Sequence, residues 1–274
     1  YTVRGYDEET GVSGPYDKNG ITYKIPVKQT VPTAQGKNTI RNFLLTGLQP
    51  VGSTMYMLGG GWDFSGSRHG SGIDSRTIGV SPLWEKFALQ QTAKYNYRNH
   101  EYETRNGLDC AGYLGWTVYN TLHTTSGGPG YVMWSQSYGD NFRGRGWGTC
   151  RSIYSIKDYK AGDIMYNSEH VYIVVGQCSD GSVVLLHASP PGVMISGTYT
   201  KNWKSDSEAV RLAEYYMKKY YPAWYQKYPK VARGTYFLTD YDQFRWYVNG
   251  KGVLTDPDGY TEKSAAQILA DLFR

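Results

Sequence analysis

Four short apolar segments between residues 164 and 199 constrain the fold of this chain more than any other feature. They are rich in Val, Ile, Leu, Met and Tyr, and residues typical of turns separate them. The predicted strands cover residues 164–166, 170–175, 183–188 and 192–199. Ser179, Asp180, Gly181 and Ser182 predict a tight turn between the second and third strands. Strands joined by such short turns pair antiparallel, so an antiparallel sheet is expected here.

Helices are predicted before and after these strands. In residues 111–122 the apolar positions recur at steps of three and four, which is the pattern of an amphipathic helix. The other predicted helices cover residues 38–48, 82–93, 207–221 and 262–273. Residues 124–150 are rich in Gly and Ser and predict a loop.

The order of these elements indicates a single α+β domain. Neither an internal repeat nor a linker divides the chain. Residues 1–35 predict an irregular N-terminal arm, with a short strand at 21–27. The domain itself is expected to span residues 36–274 and to end in a helical extension.

Composition excludes several classes of protein. A hydrophobic content of 40% and a charged content of 19% fit a globular chain and not a disordered one. No run of 18 apolar residues is present, so no membrane span is predicted. The net charge of +5 is modest and its basic residues are scattered, which does not favour nucleic acid as a partner. The 27 Tyr and 8 Trp residues are typical of surfaces that stack on sugars or peptides.

The three cysteines leave at least one thiol unpaired within the chain. Either Cys110, Cys150 and Cys178 are all reduced, or Cys150 and Cys178 form a bridge and Cys110 stands alone. Asp109 is a good N-cap, which places Cys110 in the first turn of the predicted helix. Free N–H groups and the helix dipole at that position are expected to lower the pKa of the thiol. The same N–H groups can hold an oxyanion, although most free cysteines are simply small buried residues.

The five histidines differ in their surroundings. His69 and His100 lie in polar stretches typical of the surface, and His123 ends the predicted helix, where a cation suits the dipole. His170 opens one apolar strand and His187 closes the next. Two imidazoles on consecutive strands, downstream of a capped cysteine, fit a base and an orienting group for a nucleophile.

Metal and phosphate sites are not predicted. Cys150, Cys178, His170 and His187 lack the short paired spacings of structural zinc sites. The glycines at 59–61 are not followed by the Lys-Ser or Lys-Thr pair of a phosphate loop. We therefore expect the chemistry to need neither a metal nor a cofactor.

Four segments together resemble the NlpC-type cell-wall cysteine endopeptidases. LDCAGYLGWTVYN at 108–120 is similar to the nucleophile motif of that family, and AGDIMYNSEHVYIVVG at 161–176 is similar to the segment of the base. VVLLHASPPGV at 183–193 resembles the strand that supplies the third polar residue, and MYMLGGGWD at 55–63 resembles the stretch before the nucleophile. The matched region covers about 140 residues, roughly half of the chain.

The resemblance implies a papain-like core, with Cys110 as nucleophile, His170 as base and His187 as the residue that orients it. It implies hydrolysis of peptidoglycan stem peptides, between γ-D-glutamate and a diamino acid. Tyr56 and Asp109 are then expected to bind the free amine of the stem. A bacterial protein that is secreted to the cell wall is implied as well, with its signal peptide removed, and the chain begins at Tyr1 without a charged leader.

This chain departs from the family pattern at two places. Ala111 stands where many members have a serine that meets the substrate, and residues 63–107 form an insertion before the nucleophile. Two alternatives therefore stay open beside the endopeptidase. One is a thiol-dependent amidase or acyltransferase on another amide or ester, and the other is a wall-binding module with a vestigial site.

The turn between the histidine strands decides whether their rings can meet. A two-residue turn at Asp180 and Gly181 would place His187 opposite Val174, about 13 Å along the strand from His170. A loop over residues 177–180 would place His187 opposite His170. Both registers keep the two histidines on one face of the sheet. We predict the longer loop, or a bulge that has the same effect.

Overall fold

The computed structural model describes residues 3–6, 13–17, 37–62, 73–101 and 103–274. Within these residues the protein combines a mostly antiparallel sheet with eight α-helices. The strands are β1 (Val3–Tyr6), β2 (Ser13–Asp17), β3 (Met55–Tyr56), β4 (Gly107–Leu108), β5 (Gly148–Arg151), β6 (Ile164–Tyr166), β7 (Val171–Gln177), β8 (Val183–Ser189), β9 (Gly192–Thr198), β10 (Ala232–Arg233) and β11 (Asp242–Trp246). The helices are α1 (Ile40–Leu48), α2 (Pro82–Gln90), α3 (Cys110–Leu122), α4 (Tyr138–Gly144), α5 (Glu208–Tyr220), α6 (Pro222–Lys227), α7 (Tyr236–Thr239) and α8 (Ala265–Leu272). This mixed architecture agrees with the predicted α+β class.

Nine of the strands form one sheet, in which eight follow the order β4-β3-β9-β8-β7-β6-β11-β5 and the ninth, β10, pairs with β9. Its neighbours run antiparallel, except that β3 is parallel to β4 and β10 is parallel to β9. β10 pairs with the end of β9, whereas β3 pairs with its first residue. Both therefore lie along the same edge of β9, at opposite ends.

The arm predicted to be irregular contains structure. β1 and β2 form a separate antiparallel two-stranded sheet. The predicted strand at 21–27 lies outside the described residues, as does the segment 63–72 of the proposed insertion.

The central strands β7, β8 and β9 are buried on both faces. One face, which includes Ile173 and Leu186, packs in the main core with α1 and α3. The opposite face, which includes Tyr172 and Leu185, packs with the aromatic and aliphatic residues of α7 and the residues that follow it. Burial on both sides explains why these segments are apolar throughout and do not alternate.

The hairpin of β7 and β8 has neither of the two predicted registers. Val174 pairs with Leu185, the pairing shifts by one residue at Val175, and Gln177 pairs with Val183. Residues 178–182 form the loop, which the bond from Cys178 N–H to the Ser182 carbonyl closes at 2.8 Å. The predicted loop over 177–180 is therefore wrong. A β-bulge is present at Val175, but it does not have the predicted effect, because it leaves His187 opposite Tyr172 and not opposite His170.

The observed register still brings the two histidines together. With Ile173 opposite Leu186, His187 lies opposite Tyr172, two residues from His170 on the same face. Diagonal neighbours of this kind are within reach of long side chains. The rings meet although the residues do not pair directly.

The predicted loop over residues 124–150 is wrong in its second half. α4 and β5 lie there, joined to the sheet by the pairing of β5 with β11. α4 has seven residues, too few to show a helical period, and its stability comes from tertiary contacts. Tyr138 and Phe142 are buried in it, and the Phe142 ring contacts Phe244 and Trp246 of β11.

Capping residues stand at the start of two of the predicted helices. Ser81 accepts from the Leu83 N–H at the start of α2, and Ser207 accepts from the Val210 N–H at the start of α5. The last helix begins later than predicted, at Ala265, because Ser264 and Gln267 form a capping box.

We predict that Gly197→Ala destabilises the protein. Gly197 lies in β9 against the first turn of α5, and an added Cβ would overlap the backbone of Ala209. Because this backbone cannot move without displacing α5, the free energy of unfolding should fall by about 2 kcal/mol or more. Urea denaturation followed by circular dichroism measures the change.

Gly144→Ala is the matched control. Gly144 ends α4, and an added Cβ would meet no atom within 4 Å. Its alanine variant should be as stable as the native chain or more stable by roughly 0.5–1 kcal/mol. Equal effects of the two substitutions would refute the close packing of α5 on β9.

Candidate active site

Asp109 begins α3 and fixes the position of Cys110. Its Oδ1 accepts from the Gly112 N–H at 2.7 Å, which confirms the predicted N-cap. Cys110 is therefore the first residue of the helix, with its backbone N–H among the unpaired donors of the first turn.

The other oxygen of Asp109 binds the glycine-rich turn at 59–61. Oδ2 accepts from the Gly59 N–H at 3.1 Å and from Trp62 Nε1–H at 2.6 Å. In return, the Asp109 N–H donates to the Gly60 carbonyl at 3.1 Å. Gly59 and Gly61 both have positive φ, which favours glycine. The glycine stretch thus serves to hold the start of α3.

Glycine is also required on the helix side of this contact. A Cβ at Gly112 would overlap the Gly60 carbonyl oxygen. The turn and the helix can approach this closely only because neither has a side chain at the contact.

The Cys110 thiol is more buried than the sequence suggested. The residue is 9% exposed, and burial raises the pKa of the thiol to about 12, with a further contribution from the negative charge of Asp109. The N–H groups of Val171, Ala111 and Cys110 act in the opposite direction but do not outweigh burial. The helix N-terminus therefore lowers the pKa of the thiol as expected, but the larger effect of burial leaves the pKa raised in the free protein. Cys110 is a neutral thiol at neutral pH.

His170 and His187 form a direct pair. His170 Nε2 lies 2.9 Å from His187 Nδ1, and the ring centroids are 5.2 Å apart. His187 is fully buried, while His170 lies partly exposed at the start of β7. The prediction that the two rings meet is confirmed.

Two further residues complete the environment of His187. Its Nε2 lies 3.1 Å from Ser196 Oγ on β9, and Arg233 Nε–H donates to the same nitrogen at 3.1 Å. The sequence analysis identified neither. Ser196 is buried on the predicted strand that forms β9, next to His187 in space. Pairing of this strand with the strand of His187 could have indicated the contact. Arg233 reaches the site through a parallel pairing of β10 with β9, for which the sequence has no local signal.

Burial and the charge of Arg233 keep both imidazoles neutral. Burial is the larger cause and lowers the pKa of His170 to about 3, and the Arg233 guanidinium adds to this effect. The pKa of His187 is lowered by burial, by Arg233 and by His170. A buried cation beside two imidazoles disfavours a second positive charge.

Two tyrosines flank Cys110. The phenol of Tyr56 interacts electrostatically with Cys110 and Asp109, and burial followed by these two groups raises its pKa. The ring of Tyr56 packs edge-on against Tyr97 at 5.1 Å. Tyr241 also interacts with Cys110, and its ring lies 6.3 Å from that of His170. The predicted substrate residues Tyr56 and Asp109 thus lie beside Cys110, with the Asp109 carboxylate already bound to three internal donors.

The remaining cysteines and histidines lie outside this cluster. All three cysteines are free, so Cys150 and Cys178 do not form a bridge. His100 interacts with Glu103 at 3.0 Å, and His123 Nε2 lies 2.8 Å from the Tyr131 hydroxyl. His69 is outside the described residues.

One group of potential metal ligands occurs elsewhere in the described part of the chain. Cys178, Asp180 and Glu208 converge where the β7–β8 loop meets the start of α5. The two carboxylates already accept bonds from Glu208 N–H and Ser179 N–H, at 2.7 and 3.0 Å. These contacts explain the cluster as a link between the loop and the helix.

We predict that Asp109→Asn destabilises the protein although Asn is normally as good an N-cap as Asp. An amide has one acceptor oxygen, which can satisfy Gly112. Its NH₂ group would then face the Gly59 and Trp62 donors. Two buried donors left unpaired should lower the free energy of unfolding by about 2 kcal/mol or more at pH 7, measured by urea denaturation.

Ser81→Asn in α2 is the matched control, because the Ser81 cap accepts only from the Leu83 N–H within its helix. This variant should change the free energy of unfolding by about 0.5 kcal/mol or less. If Asp109→Asn were equally mild, Asp109 would act as a cap alone, and the link to the glycine turn would contribute nothing.

No described helix is both long enough and apolar enough to cross a membrane. The chain matches no protein-family model, no curated protein and no solved structure at a significant level. A function for this protein must therefore be argued from the chemistry of the site itself.

Proposed function

We propose that this protein is a cysteine endopeptidase with a papain-like core, and that it hydrolyses peptidoglycan stem peptides between γ-D-glutamate and a diamino acid. The observation that carries the proposal is that the Cys110 thiol, at the first residue of α3, lies against the backbone N–H of Val171, next in the chain to His170, and that His170 is paired with the buried His187. A nucleophile, a base and an orienting group are the parts that such a reaction requires.

The start of β7 supports the pairing of Cys110 with His170. The backbone N–H of Val171 stabilises the Cys110 thiolate, so the sulfur lies against the residue that follows His170. His170 Nε2 is engaged by His187. Nδ1 is therefore the nitrogen left to take the thiol proton.

The proposed reaction has two stages. As the Cys110 sulfur attacks the scissile carbonyl carbon, its proton passes to His170, and the first-turn N–H groups of α3 stabilise the oxyanion. Collapse of the tetrahedral intermediate breaks the C–N bond, and His170 returns the proton to the leaving amine. Water then hydrolyses the thioester, with His170 as its base, and restores the thiol.

A neutral starting pair suits this general-base route. With the pKa of Cys110 raised to about 12 and that of His170 lowered to about 3, the thiol and the imidazole both begin uncharged. Proton transfer then accompanies attack and does not precede it.

The papain-like core is supported by the packing of α3 across the sheet. α3 contacts β7 and β8, and its Tyr113 hydroxyl donates to the Gly47 carbonyl of α1 at 2.7 Å. The order along the chain is nucleophile helix, then the strand of the base, then the strand of the orienting residue.

Tyr56 and Asp109 support a substrate with a free amine. The Tyr56 phenol interacts electrostatically with both Cys110 and the buried Asp109 carboxylate, and we expect this phenol and this carboxylate to bind an ammonium group. Stem peptides with a free N-terminal L-alanine carry such a group. We place the enzyme outside the cell, at the wall that contains this substrate.

We predict that Cys110→Ala abolishes hydrolysis and leaves the fold intact. Loss of the nucleophile should reduce turnover at least about 1000-fold, because no other group in the site can form the thioester. Mass spectrometry of muropeptides incubated with the protein measures the products. Circular dichroism checks the fold.

Cys150→Ala and Cys178→Ala are the matched controls and should retain activity. Normal turnover by Cys110→Ala would remove Cys110 as the nucleophile. The native protein could instead cleave a different amide or an ester, and Cys110→Ala could abolish that activity. This result would favour the amidase or acyltransferase alternative. No product from the native protein would favour the vestigial module.

We also predict that stems with a free N-terminal L-alanine are cleaved faster than stems attached to glycan. One charge-assisted hydrogen bond from the ammonium group is worth roughly a tenfold ratio of kcat/KM or more. Synthetic stems with a free or an acetylated N-terminus, compared by chromatography, measure this ratio.

Tyr56→Phe serves as the control for this preference. It removes the hydroxyl and keeps the ring that packs on Tyr97. The preference for the free amine should shrink in this variant. Equal rates on free and acetylated stems with the native enzyme would contradict the amine-binding role.

A further inference from the structure

We propose that Arg233 is a positioning residue, whose contact with His187 fixes the proton arrangement of the His170–His187 pair and so opposes transfer of the Cys110 proton to His170. The inference rests on the proposed function only in taking Cys110 and His170 as the reacting pair. It concerns the state of the site before substrate binds.

Arg233 reaches the pair from the far side of His187. β10 places it beside Thr198 of β9, and its side chain runs back along β9. Its Nε–H donates to His187 Nε2 at 3.1 Å, while its Nη2 lies 3.1 Å from Met194 Sδ. The residue is only 9% exposed. No carboxylate in the described part of the chain forms an ion pair with it.

The contact with Arg233 determines where the protons of both histidines lie. A guanidinium group can only donate, so His187 Nε2 must offer its lone pair. A neutral His187 then has its proton on Nδ1 and donates it to His170 Nε2. A neutral His170 must in turn have its proton on Nδ1, the nitrogen that would otherwise accept from Cys110.

The arrangement that catalysis needs is the reverse. His170 Nε2–H must donate to His187 Nδ1, and His187 Nε2–H must donate to Ser196 Oγ, which lies 3.1 Å away. Ser196 Oγ can accept this hydrogen bond. The Nε–H of Arg233 would then point at the Nε2–H of His187, and two donors would face each other. Arg233 therefore opposes the arrangement with a free His170 Nδ1, and it opposes a protonated His170 for the same reason.

Among the described residues, Arg233 is the formal charge that acts on both imidazole rings. Phe237 packs edge-on against His170 and His187, and Tyr241 packs against His170, so these neighbours are uncharged at neutral pH. Asp109 acts on Cys110 and not on the imidazoles. After burial, the guanidinium is the main cause that lowers the pKa of each histidine.

This arrangement has a consequence for the thiol. A thiolate at Cys110 is stabilised when His170 takes up the proton, and Arg233 disfavours that ion pair. Because a neutral thiol reacts slowly with alkylating and oxidising agents, the free site should be chemically protected. Substrate binding must then supply the energy that reverses the proton arrangement.

Alkylation of Cys110 by iodoacetamide tests the charge effect without any substrate. The experiment uses the full chain with Cys150→Ser and Cys178→Ser, so that Cys110 alone reacts. The thiolate–imidazolium pair contributes a pH-independent part of the second-order rate, which is measured at acidic pH, where free thiolate is scarce. Arg233→Met should increase this part roughly tenfold or more, since removal of a nearby cation raises the pKa of His170 by about one unit or more. Arg233→Lys keeps the charge and should react at nearly the native rate.

Arg245→Met is the control for the loss of a partly buried cation elsewhere. Arg245 of β11 pairs with Asp163 at 2.6 Å, so its removal perturbs the fold without touching the histidines. The alkylation rate in this variant should stay native. The proposal fails if Arg233→Met is folded by circular dichroism and reacts at the native rate, or if Arg245→Met accelerates the reaction equally.

Nitrogen NMR of the histidine rings tests the proton arrangement in the native chain and does not depend on the folding of any variant. Both His170 and His187 should have their protons on Nδ1, and Arg233→Lys should preserve this pattern. A native His187 with its proton on Nε2 would overturn the proposal. Neither the alkylation rate nor the NMR measurement requires hydrolysis. A lack of peptidase activity would therefore refute the proposed function and leave the role of Arg233 untouched.

Discussion

The buried carboxylate of Asp109 is the interaction on which the rest of the site depends. It joins the first turn of α3 to the glycine turn at 59–61, and its three donors come from Gly59, Trp62 and Gly112. Burial raises the pKa of this carboxyl to about 6, so its charge is retained at neutral pH only because these donors oppose the cost of desolvation. The position of Cys110 follows directly, since it is the next residue.

The charges around the site oppose early ionisation of the reacting groups. A negative Asp109 disfavours the thiolate, and a positive Arg233 disfavours the imidazolium. Both charges act from outside the reacting pair of Cys110 and His170. Asp109 lies next to the cysteine, and Arg233 lies beyond His187. At buried positions such as these, charges are weakly screened and keep the reacting groups neutral until a substrate changes their surroundings.

Much of the site could be predicted because its signals are local. The cap at Asp109, the helix that follows and the two histidine strands depend on neighbouring residues, and the structure agrees with each. Short elements were missed for the opposite reason. α4 and β5 depend on aromatic contacts with β11, about 100 residues further along the chain, and no local pattern announces them.

The sequence by itself determined which residues occupy the nucleophile helix and the histidine strands, because capping and apolar patterning act over a few residues. Only the tertiary structure decided the hairpin register, the burial that raises the pKa of Cys110, and the approach of Arg233 to His187. A bulge at Val175 changes the register by one residue, and burial depends on everything that packs around a side chain. The pairing of β10 with β9 joins segments that are far apart in the sequence, so it follows from the packing of the whole domain.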